Sequence, residues 1–448
     1  MIQRSEAALT GSSKAKTAAE AGWRVSRYNL SLELPEKGRT AIVNLFRGTC
    51  KEYGLVELYL MSVLDEISED HPIISMLAKT GVIVNFDEQA ALETMGRMAC
   101  AASQGVGLTI CPTMGCNFDC PYCFENHKQG KMTEEVQADT AALAERLLKT
   151  SRAKSLSVTW FGGEPLLAPD VIESLSEKLM ALAEEHHAEY SAGIITNGYL
   201  LTPEVVKMLE KAQVKSAQIT LDGIGAAHDA TRHLRGGGPT FERIVENLRQ
   251  PIPFKVSIRH NVHEGNRDEV GQLKAFVEDL AKETGNAVSY YPAPVTGSEA
   301  AEKRGSQVDL IGEDVNCQVG ILQDSGRFTR GSGHYCGAHL LFSVCIDEKG
   351  RLTKCWEAVD KEGISFGNVR DWDPADPLRT ASNPDRLTMF LNTAAPLNDE
   401  ECRECIWLPA CRGGCPWQRL FRGRKCLPYR DAPEAYVRSL VERMKIRD

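Results

Sequence analysis

Between residues 108 and 294, short apolar runs alternate with longer runs in which apolar residues recur every three or four positions. The short runs have the length of buried strands, and the longer runs have helical periodicity. This alternation predicts parallel βαβ units, in which helices cover a sheet. The predicted strands are residues 108–112, 157–161, 192–196, 217–221, 255–261 and 287–291, and the predicted helices are 135–149, 171–185, 203–212, 240–249 and 267–284.

Six strands are fewer than a closed eightfold barrel needs, so we expect an α/β fold with an open, partial (β/α)6 TIM barrel. In such folds the chemistry lies at the C-terminal ends of the strands. Distinctive residues follow four of the predicted strands directly. They are the loop at 116–123 and the segments 162–165, 196–198 and 222–223. The sequence therefore predicts one functional site at this end of the barrel.

The regions on either side of the barrel have other patterns. Residues 1–22 are rich in Ala, Ser, Lys and Glu without an apolar period, and we expect a mobile tail. Residues 23–100 combine strand-like and helical runs, which predicts a small α+β module. After the barrel at 101–300, residues 301–335 are polar and Gly-rich, which predicts a linker. Residues 336–448 have little apolar periodicity, so we expect bound metal to stabilise them.

Composition narrows the class of protein. The 448 residues are 42% hydrophobic with a net charge of −9, which disfavours a basic nucleic-acid-binding protein. No run approaches the roughly 18–20 apolar residues of a membrane span, and no signal peptide opens the chain. Cysteine is the anomaly, with 15 residues. Because cytoplasmic thiols stay reduced, clustered cysteines there more often bind metal than form disulfides. We expect a cytoplasmic metalloprotein with neither nucleic-acid nor membrane partners.

The first cysteine cluster directly follows the first predicted barrel strand. Cys116, Cys120 and Cys123 have the spacing C-x3-C-x2-C. Three thiolates from one loop can bind three irons of a [4Fe–4S] cluster and leave the fourth iron open for a ligand. A zinc site is the alternative, and Cys111 or His127 could supply its fourth ligand.

This loop, followed by Phe124 and then by Gly162-Gly163-Glu164-Pro165 after the next strand, resembles the radical S-adenosylmethionine (SAM) superfamily. The resemblance implies that the open iron binds SAM. The reduced cluster then cleaves SAM to methionine and a 5′-deoxyadenosyl radical that abstracts a substrate hydrogen. It also implies SAM-binding positions, each of which has a purely structural alternative such as loop packing, a turn or a solvated charge. Those positions are Tyr122, Gly162, Gly163, Glu164, Thr220 and Arg232.

The second set of cysteines resembles the SPASM domain, an extension of radical SAM enzymes that usually carries two auxiliary [4Fe–4S] clusters. Its spacing is Cys336-x13-Gly350-x4-Cys355, then Cys402-x2-Cys405-x5-Cys411-x3-Cys415, and finally Cys426. The resemblance implies three clusters in all. Auxiliary cluster I would be bound by Cys317, Cys336, Cys355 and Cys415, with Cys345 or an open iron as alternatives to Cys317. Auxiliary cluster II would be bound by Cys402, Cys405, Cys411 and Cys426.

The resemblance extends to the substrate. Radical SAM–SPASM proteins mostly modify peptides and proteins. The N-terminal module resembles the winged-helix elements that bind leader peptides of ribosomally made precursors by adding an edge strand. We therefore expect a precursor peptide with a leader as substrate, and a flavodoxin or ferredoxin as electron donor.

The sequence around Cys355 narrows the reaction. Sulfatase-maturing relatives have an Asp that acts as base where this chain has Trp356, although Glu357 could substitute. The segment is closer to maturases that cross-link precursor peptides, so a cysteine thioether is the first expectation. Carbon–carbon or carbon–oxygen cross-linking and formylglycine formation are alternatives, and a non-catalytic zinc-binding scaffold is a remote one. No residue stands out as a general base.

Overall fold

The computed structural model describes most of the chain. Cys317, residues 1–15 and most of the expected linker lie outside the described residues. The described ranges are 16–101, 105–127, 129–295, 321–322, 328–329, 335–393, 396–424, 426, 430 and 433–445.

The barrel region contains the six predicted strands, and they lie side by side in chain order. Successive side chains of a strand point to opposite faces of the sheet, and the burial follows this pattern. In β10 (Lys255–Val262), for example, every second residue from Val256 to Val262 is buried. The strands are β6 (Gly105–Ile110), β7 (Ser155–Trp160), β8 (Glu189–Thr196), β9 (Val214–Thr220), β10 (Lys255–Val262) and β11 (Val288–Pro294). All neighbouring pairs from β6 to β11 are parallel.

Helices cover this sheet and bury an apolar stripe against it. In α8, Phe241, Ile244, Val245 and Leu248 recur at helical spacing and are all buried. Thr133 and Thr202 cap the helices that follow them by accepting backbone N–H hydrogen bonds. The barrel helices are α4 (Glu134–Ser151), α5 (Pro169–Glu185), α6 (Pro203–Lys211), α7 (Ala226–Asp229), α8 (Phe241–Arg249) and α9 (Glu269–Thr284). The α/β fold with a mostly parallel sheet is confirmed.

The C-terminal region continues the barrel sheet, which the sequence did not indicate. Strand β14 (Ser343–Ile346) pairs in parallel with β6, and β15 (Arg351–Thr353) and β16 (Gly367–Asn368) follow it antiparallel. The sheet thus has nine strands in the order β11-β10-β9-β8-β7-β6-β14-β15-β16. Other elements here are β12 (Ile321–Leu322), β13 (Phe328–Thr329), α10 (Pro384–Asn392), α11 (Glu400–Glu404), α12 (Leu408–Cys411), α13 (Pro416–Phe421) and α14 (Pro433–Lys445).

The N-terminal module is a three-stranded antiparallel sheet, in the order β2-β3-β4, followed by helices. It begins earlier than predicted: within the expected tail, Thr17 pairs with Ser68 and Ala18 is fully buried, so residues 16–22 pack on the module. Its elements are β1 (Arg24–Val25), β2 (Asn29–Leu34), β3 (Arg39–Asn44), β4 (Thr49–Tyr53), α1 (Leu55–Ser62), α2 (Pro72–Thr80), β5 (Ile83–Val84) and α3 (Glu88–Ala101).

The module is not an independent unit, because both faces of its sheet are covered. Ile42 and Tyr53 pack on the module's own helices. Leu32 and Val43, on the opposite face, share a core with Tyr436 of α14 and with Trp407 beside the expected auxiliary cysteines. The N-terminal and C-terminal regions therefore form one hydrophobic core. Among the described residues, no helix has the length and apolar content to cross a membrane.

We predict that Tyr436→Ala destabilises this shared core. Tyr436 is fully buried and stands edge-on to Trp407, with ring centroids 5.1 Å apart. Removing a buried aromatic ring should lower the free energy of unfolding by about 3–5 kcal/mol, measured by urea denaturation with tryptophan fluorescence. Tyr59→Ala, on a side chain that is 61% exposed, is the matched control and should change it by less than about 0.5 kcal/mol. Equal effects of the two substitutions would refute the shared core.

Candidate active site

The C-terminal ends of the barrel strands open on one cavity of about 360 Å³. The loop between β6 and α4 contributes the three cysteines predicted to bind the first cluster. Five of the six residues predicted to bind SAM also line it, and Glu164 does not. The predicted lining residues are Cys116, Cys120, Cys123, Tyr122, Gly162, Gly163, Thr220 and Arg232.

The cysteine loop is ordered by its own backbone and by neighbours. The N–H of Phe118 points to Cys116 Sγ at 3.4 Å, and Arg235 Nε donates to the Cys116 carbonyl at 2.9 Å. Burial raises the pKa of the Cys116 and Cys123 thiols to about 12. These thiols therefore need bound metal to become thiolates at neutral pH.

In the described part of the chain, the cysteine sulfurs are not arranged as in an occupied zinc site. In a tetrahedral zinc site with Zn–S bonds of 2.3 Å, sulfurs lie roughly 3.8 Å apart. No three cysteines in the described part of the chain have their sulfurs within 4.8 Å of one another. His127 Nε2 does lie 3.2 Å from Cys123 Sγ. Cys111, the other zinc candidate, is fully buried in an apolar cluster with Met114 and Phe161.

Gly162 and Gly163 lie directly against the cysteine loop. Gly162 has φ 109°, and a Cβ there would lie 2.3 Å from the Thr113 carbonyl oxygen. A Cβ on Gly163 would lie 2.3 Å from the Gly115 carbonyl oxygen and 2.5 Å from that of Met114. Glycine is therefore required for packing of backbone on backbone, in addition to the approach of a ligand that the sequence suggested.

Glu164 is fully buried, and protein groups already occupy its carboxylate. It accepts hydrogen bonds from the Thr196 hydroxyl at 2.7 Å, from the Asn197 N–H at 2.7 Å and from the Leu166 N–H at 3.0 Å. The carboxylate thus ties the end of β7 to the end of β8. Glu164 therefore positions the two strand ends, and its contact with SAM stays a prediction.

Tyr122 and Arg232 belong to one buried network. Arg232 Nη1 donates to the Tyr122 hydroxyl at 2.8 Å, and that hydroxyl donates to Asp222 Oδ2. Asn261 Nδ2 also donates to Tyr122, at 3.2 Å. Burial raises the pKa of Tyr122 well above its usual value, so the hydroxyl stays protonated. Arg232 Nε is buried and has no hydrogen-bond partner among the described residues. The Arg232 side chain lines the cavity, where its guanidinium group could pair with an anionic group.

The sequence reasoning missed several polar residues of the cavity. Asn261 and Gln218 line it from β10 and β9, whereas Thr196 and Asn197, which belong to the predicted segment 196–198, line it from the end of β8. Asn197 Nδ2 donates to Asn117 in the cysteine loop at 2.8 Å, which fixes the loop to β8. Their position at strand ends was the available signal.

Part of the cavity wall is aromatic and joins the barrel to the C-terminal region. The rings of Phe124 and Phe161 stack with centroids 6.5 Å apart, and Phe161 and Trp356 stack at 5.4 Å. Trp356 is 44% exposed and lines the cavity beside Glu357. Burial, reinforced by nearby carboxylates, raises the pKa of Glu125 on this wall to about 8. Trp356 follows Cys355, so the cavity wall adjoins the predicted auxiliary site I.

The four cysteines predicted to bind auxiliary cluster II meet around one separate cavity, together with Trp407 and Leu408. The thiols come from α11, the following turn, α12 and the segment after α13. The structure therefore brings this set together, and its members are Cys402, Cys405, Cys411 and Cys426.

The predicted ligands of auxiliary site I are also neighbours. Burial raises the pKa of Cys355, and the nearby thiols of Cys345, Cys336 and Cys415 add to the rise. Cys345 is a buried residue of β14. Its thiol is close enough to those of Cys355 and Cys336 to affect their charges. Cys317 lies outside the described residues.

A family model described as "Radical SAM superfamily" matches residues 110–274. That segment holds the cysteine loop, the glycine pair, Thr220 and Arg232, which line the cavity. Residues 110–274 therefore form a radical SAM domain. This match supports a radical SAM enzyme over a non-catalytic zinc scaffold.

The similarity to known proteins extends beyond that segment. Fe-coproporphyrin III synthase of Methanosarcina barkeri is 25% identical over 343 residues, covering 67% of this chain and 80% of that protein. Mycofactocin maturase MftC of Mycolicibacterium smegmatis is 26% identical over 352 residues, covering 74% of this chain and 84% of that protein. The solved structure of native anSMEcpe with bound AdoMet and Kp18Cys peptide has a TM-score of 0.55 at 20% identity, covering 77% of this chain and 99% of that one. At this level of sequence identity, the similarity to the solved structure shows a shared fold alone.

The residues of the cavity fit the cofactors of the superfamily. Three cysteines of one loop line the cavity and suit a [4Fe–4S] cluster, and the Arg232 guanidinium group, which lines the same cavity, suits the carboxylate of SAM. The glycine pair leaves backbone at the cavity surface between them.

We predict that Gly163→Ala weakens SAM binding. The added Cβ would overlap the Gly115 and Met114 carbonyl oxygens and push the Gly162–Gly163 backbone away from the cysteine loop. The SAM affinity of the reconstituted enzyme, measured by equilibrium dialysis, should fall by roughly 100-fold, or about 2.7 kcal/mol. Gly271→Ala is the control, because its Cβ meets nothing within 4 Å in α9. An unchanged affinity in Gly163→Ala would contradict this account of the site.

Proposed function

We propose that this enzyme modifies a ribosomally made precursor peptide and installs a cross-link in it, with a cysteine thioether as the first expectation. One observation carries the proposal. The cavity lined by the predicted SAM-binding residues is also lined by Trp356 and Glu357, which directly follow Cys355 of auxiliary site I. A substrate side chain in this cavity would lie close to both SAM and an auxiliary cluster.

We infer the following roles for the residues at the mouth of the barrel. A [4Fe–4S] cluster and SAM, when bound, supply the 5′-deoxyadenosyl radical that removes a substrate hydrogen atom. Cys116, Cys120 and Cys123 would hold the cluster, and Arg232 would pair with the SAM carboxylate. Tyr122, held by Arg232 and Asp222, would border the adenine. The stacked aromatic wall would limit water around the radical.

We further propose two auxiliary [4Fe–4S] clusters. At site II the four thiols surround one cavity, as a fully ligated cluster requires. At site I, Cys336, Cys355 and Cys415 need a fourth partner. Cys345 is the described cysteine closest to that role, since its thiol acts on the pKa of Cys355. Cys317 and an open iron remain the other proposals for this position.

The N-terminal module supports a peptide substrate. Its sheet ends in the edge strand β4, which is followed at once by α1. On α1, Leu55, Val56 and Tyr59 are 78%, 70% and 61% exposed, an unusual density of apolar surface. A leader peptide could pair with the edge strand and cover these side chains.

A tetrapyrrole is the second candidate substrate, because one relative is named Fe-coproporphyrin III synthase and another AdoMet-dependent heme synthase. The exposed ring of Trp356 on the cavity wall could stack on a flat macrocycle. Titration of the enzyme with iron coproporphyrin separates the two candidates. A tetrapyrrole substrate predicts a saturable change in the porphyrin absorption band, and a peptide substrate predicts none.

We predict that the anaerobically reconstituted, reduced enzyme converts SAM to 5′-deoxyadenosine and binds about twelve irons per chain. Cys120→Ser should lose SAM cleavage and about four irons while the auxiliary sites stay filled. Cys50→Ala, in the N-terminal core, is the control and should retain both. Product analysis by liquid chromatography and iron assay on the same samples decides the outcome. Zinc without iron would overturn the proposal.

We predict that Val56→Asp weakens binding of the precursor peptide roughly tenfold, because a carboxylate would lie under the leader. Fluorescence anisotropy of a labelled leader measures the affinity. Leu378→Asp, at an apolar side chain that is 50% exposed outside the module, should leave it unchanged. Mass spectrometry of the modified peptide should show loss of two hydrogen atoms and of one alkylatable thiol. Binding that is unaffected by Val56→Asp would remove the module from the proposal.

A further inference from the structure

Guanidinium groups point at the cysteine sulfurs of auxiliary site II. Arg430 Nη1 donates to Cys426 Sγ at 3.1 Å, and Arg419 Nη1 donates to Cys402 Sγ at 3.4 Å. Arg424 Nη1 lies 4.0 Å from the same Cys402 sulfur. Two of the four proposed ligands at this site therefore have a charged hydrogen-bond donor on their sulfur atom.

Carboxylates hold two of these arginines in place. Asp399 accepts hydrogen bonds from Arg419 and from Arg424, each at 2.8 Å. The same carboxylate accepts the N–H of Cys402 at 3.1 Å and so caps α11. Glu401 pairs with Arg424 from the other side. Because Asp399 bonds both the arginines and the Cys402 backbone, the donor and the sulfur are fixed relative to one another.

Arg430 reaches the site from the segment that carries Cys426. Its side chain is 40% exposed, and its Nη2 lies 3.7 Å from Glu401. Its strongest polar contact among those described is the Cys426 sulfur itself. The carboxylates partly offset the positive charge around the site, whereas the N–H···S hydrogen bonds remain directed at the sulfurs.

Hydrogen bonds to the sulfurs of an iron–sulfur cluster are a main determinant of its reduction potential. Reduction adds one electron and one negative charge, most of which is shared with the sulfur atoms. A donor on a ligand sulfur therefore stabilises the reduced state more than the oxidised state.

We propose that Arg419 and Arg430 raise the reduction potential of the cluster at auxiliary site II through hydrogen bonds to Cys402 and Cys426. The cluster then accepts an electron more readily than a cluster with bare cysteine ligands. This inference rests on the proposed assignment of a [4Fe–4S] cluster to site II. The change is a one-electron reduction in which no bond forms or breaks.

The test is a redox titration of the reconstituted full-length enzyme followed by electron paramagnetic resonance. The site II signal is identified as the one lost in Cys402→Ala/Cys405→Ala. In Arg430→Met, the ratio of reduced to oxidised cluster at the wild-type midpoint should fall about tenfold, a shift of about 59 mV to lower potential. Arg419→Met should act in the same direction, and Arg430→Lys, which keeps a charged donor, should restore part of the loss.

Arg403→Met is the matched control for charge. Arg403 lies between Cys402 and Cys405 in sequence, but its side chain donates to the Leu397 carbonyl. Its substitution removes the same charge without touching a sulfur and should change the ratio less than threefold. Equal shifts in Arg403→Met and Arg430→Met, or no shift in Arg430→Met with iron content retained, would overturn the inference. Absence of a site II signal in the wild type would instead overturn the cluster assignment, and this inference with it.

Discussion

The contact between the Gly162–Gly163 backbone and the cysteine loop is the constraint on which the site depends. Carbonyl oxygens of Thr113, Met114 and Gly115 occupy the space that a Cβ on either glycine would fill. Two strand ends, β6 and β7, are thereby held in direct backbone contact. Glu164 extends the same restraint to β8 through Thr196 and Asn197. These contacts fix the cysteine loop, the Gly162–Gly163 backbone and the polar strand ends relative to one another before any ligand binds.

The second organising feature is the continuation of the barrel sheet into the C-terminal region. Strand β14 pairs with β6, the strand that leads into the cysteine loop. Backbone hydrogen bonds therefore join the expected SPASM region to the barrel, and the residues after β15 reach the cavity. Trp356 stacks on Phe161 as a result, so part of the cavity wall comes from the segment that carries Cys355. The proposed electron acceptor at auxiliary site I would therefore lie close to a substrate in the cavity.

The sequence predicted much of the barrel because its signals are local. All six strands and five of the six barrel helices followed from apolar periodicity, although the short helix α7 did not. The cysteine loop followed from its spacing, and Arg232 followed from the family resemblance. Long-range features were not predictable in this way. Nothing near Ser343–Ile346 indicates a parallel partner more than two hundred residues earlier. Likewise, the hydrogen bonds of the buried Glu164 carboxylate and the contact of Asn261 with Tyr122 depend on which strand ends lie next to one another. The local sequence does not show this.

The central claim is that the cysteine loop holds a cluster whose open iron binds SAM next to Arg232. Electron–nuclear double resonance on the reduced enzyme with SAM labelled in its amino nitrogen and carboxylate tests this claim directly. The account predicts hyperfine coupling of both labels to the cluster, with loss of the carboxylate coupling in Arg232→Met. Absence of coupling in the wild-type enzyme with a fully assembled cluster would contradict the assignment of the site.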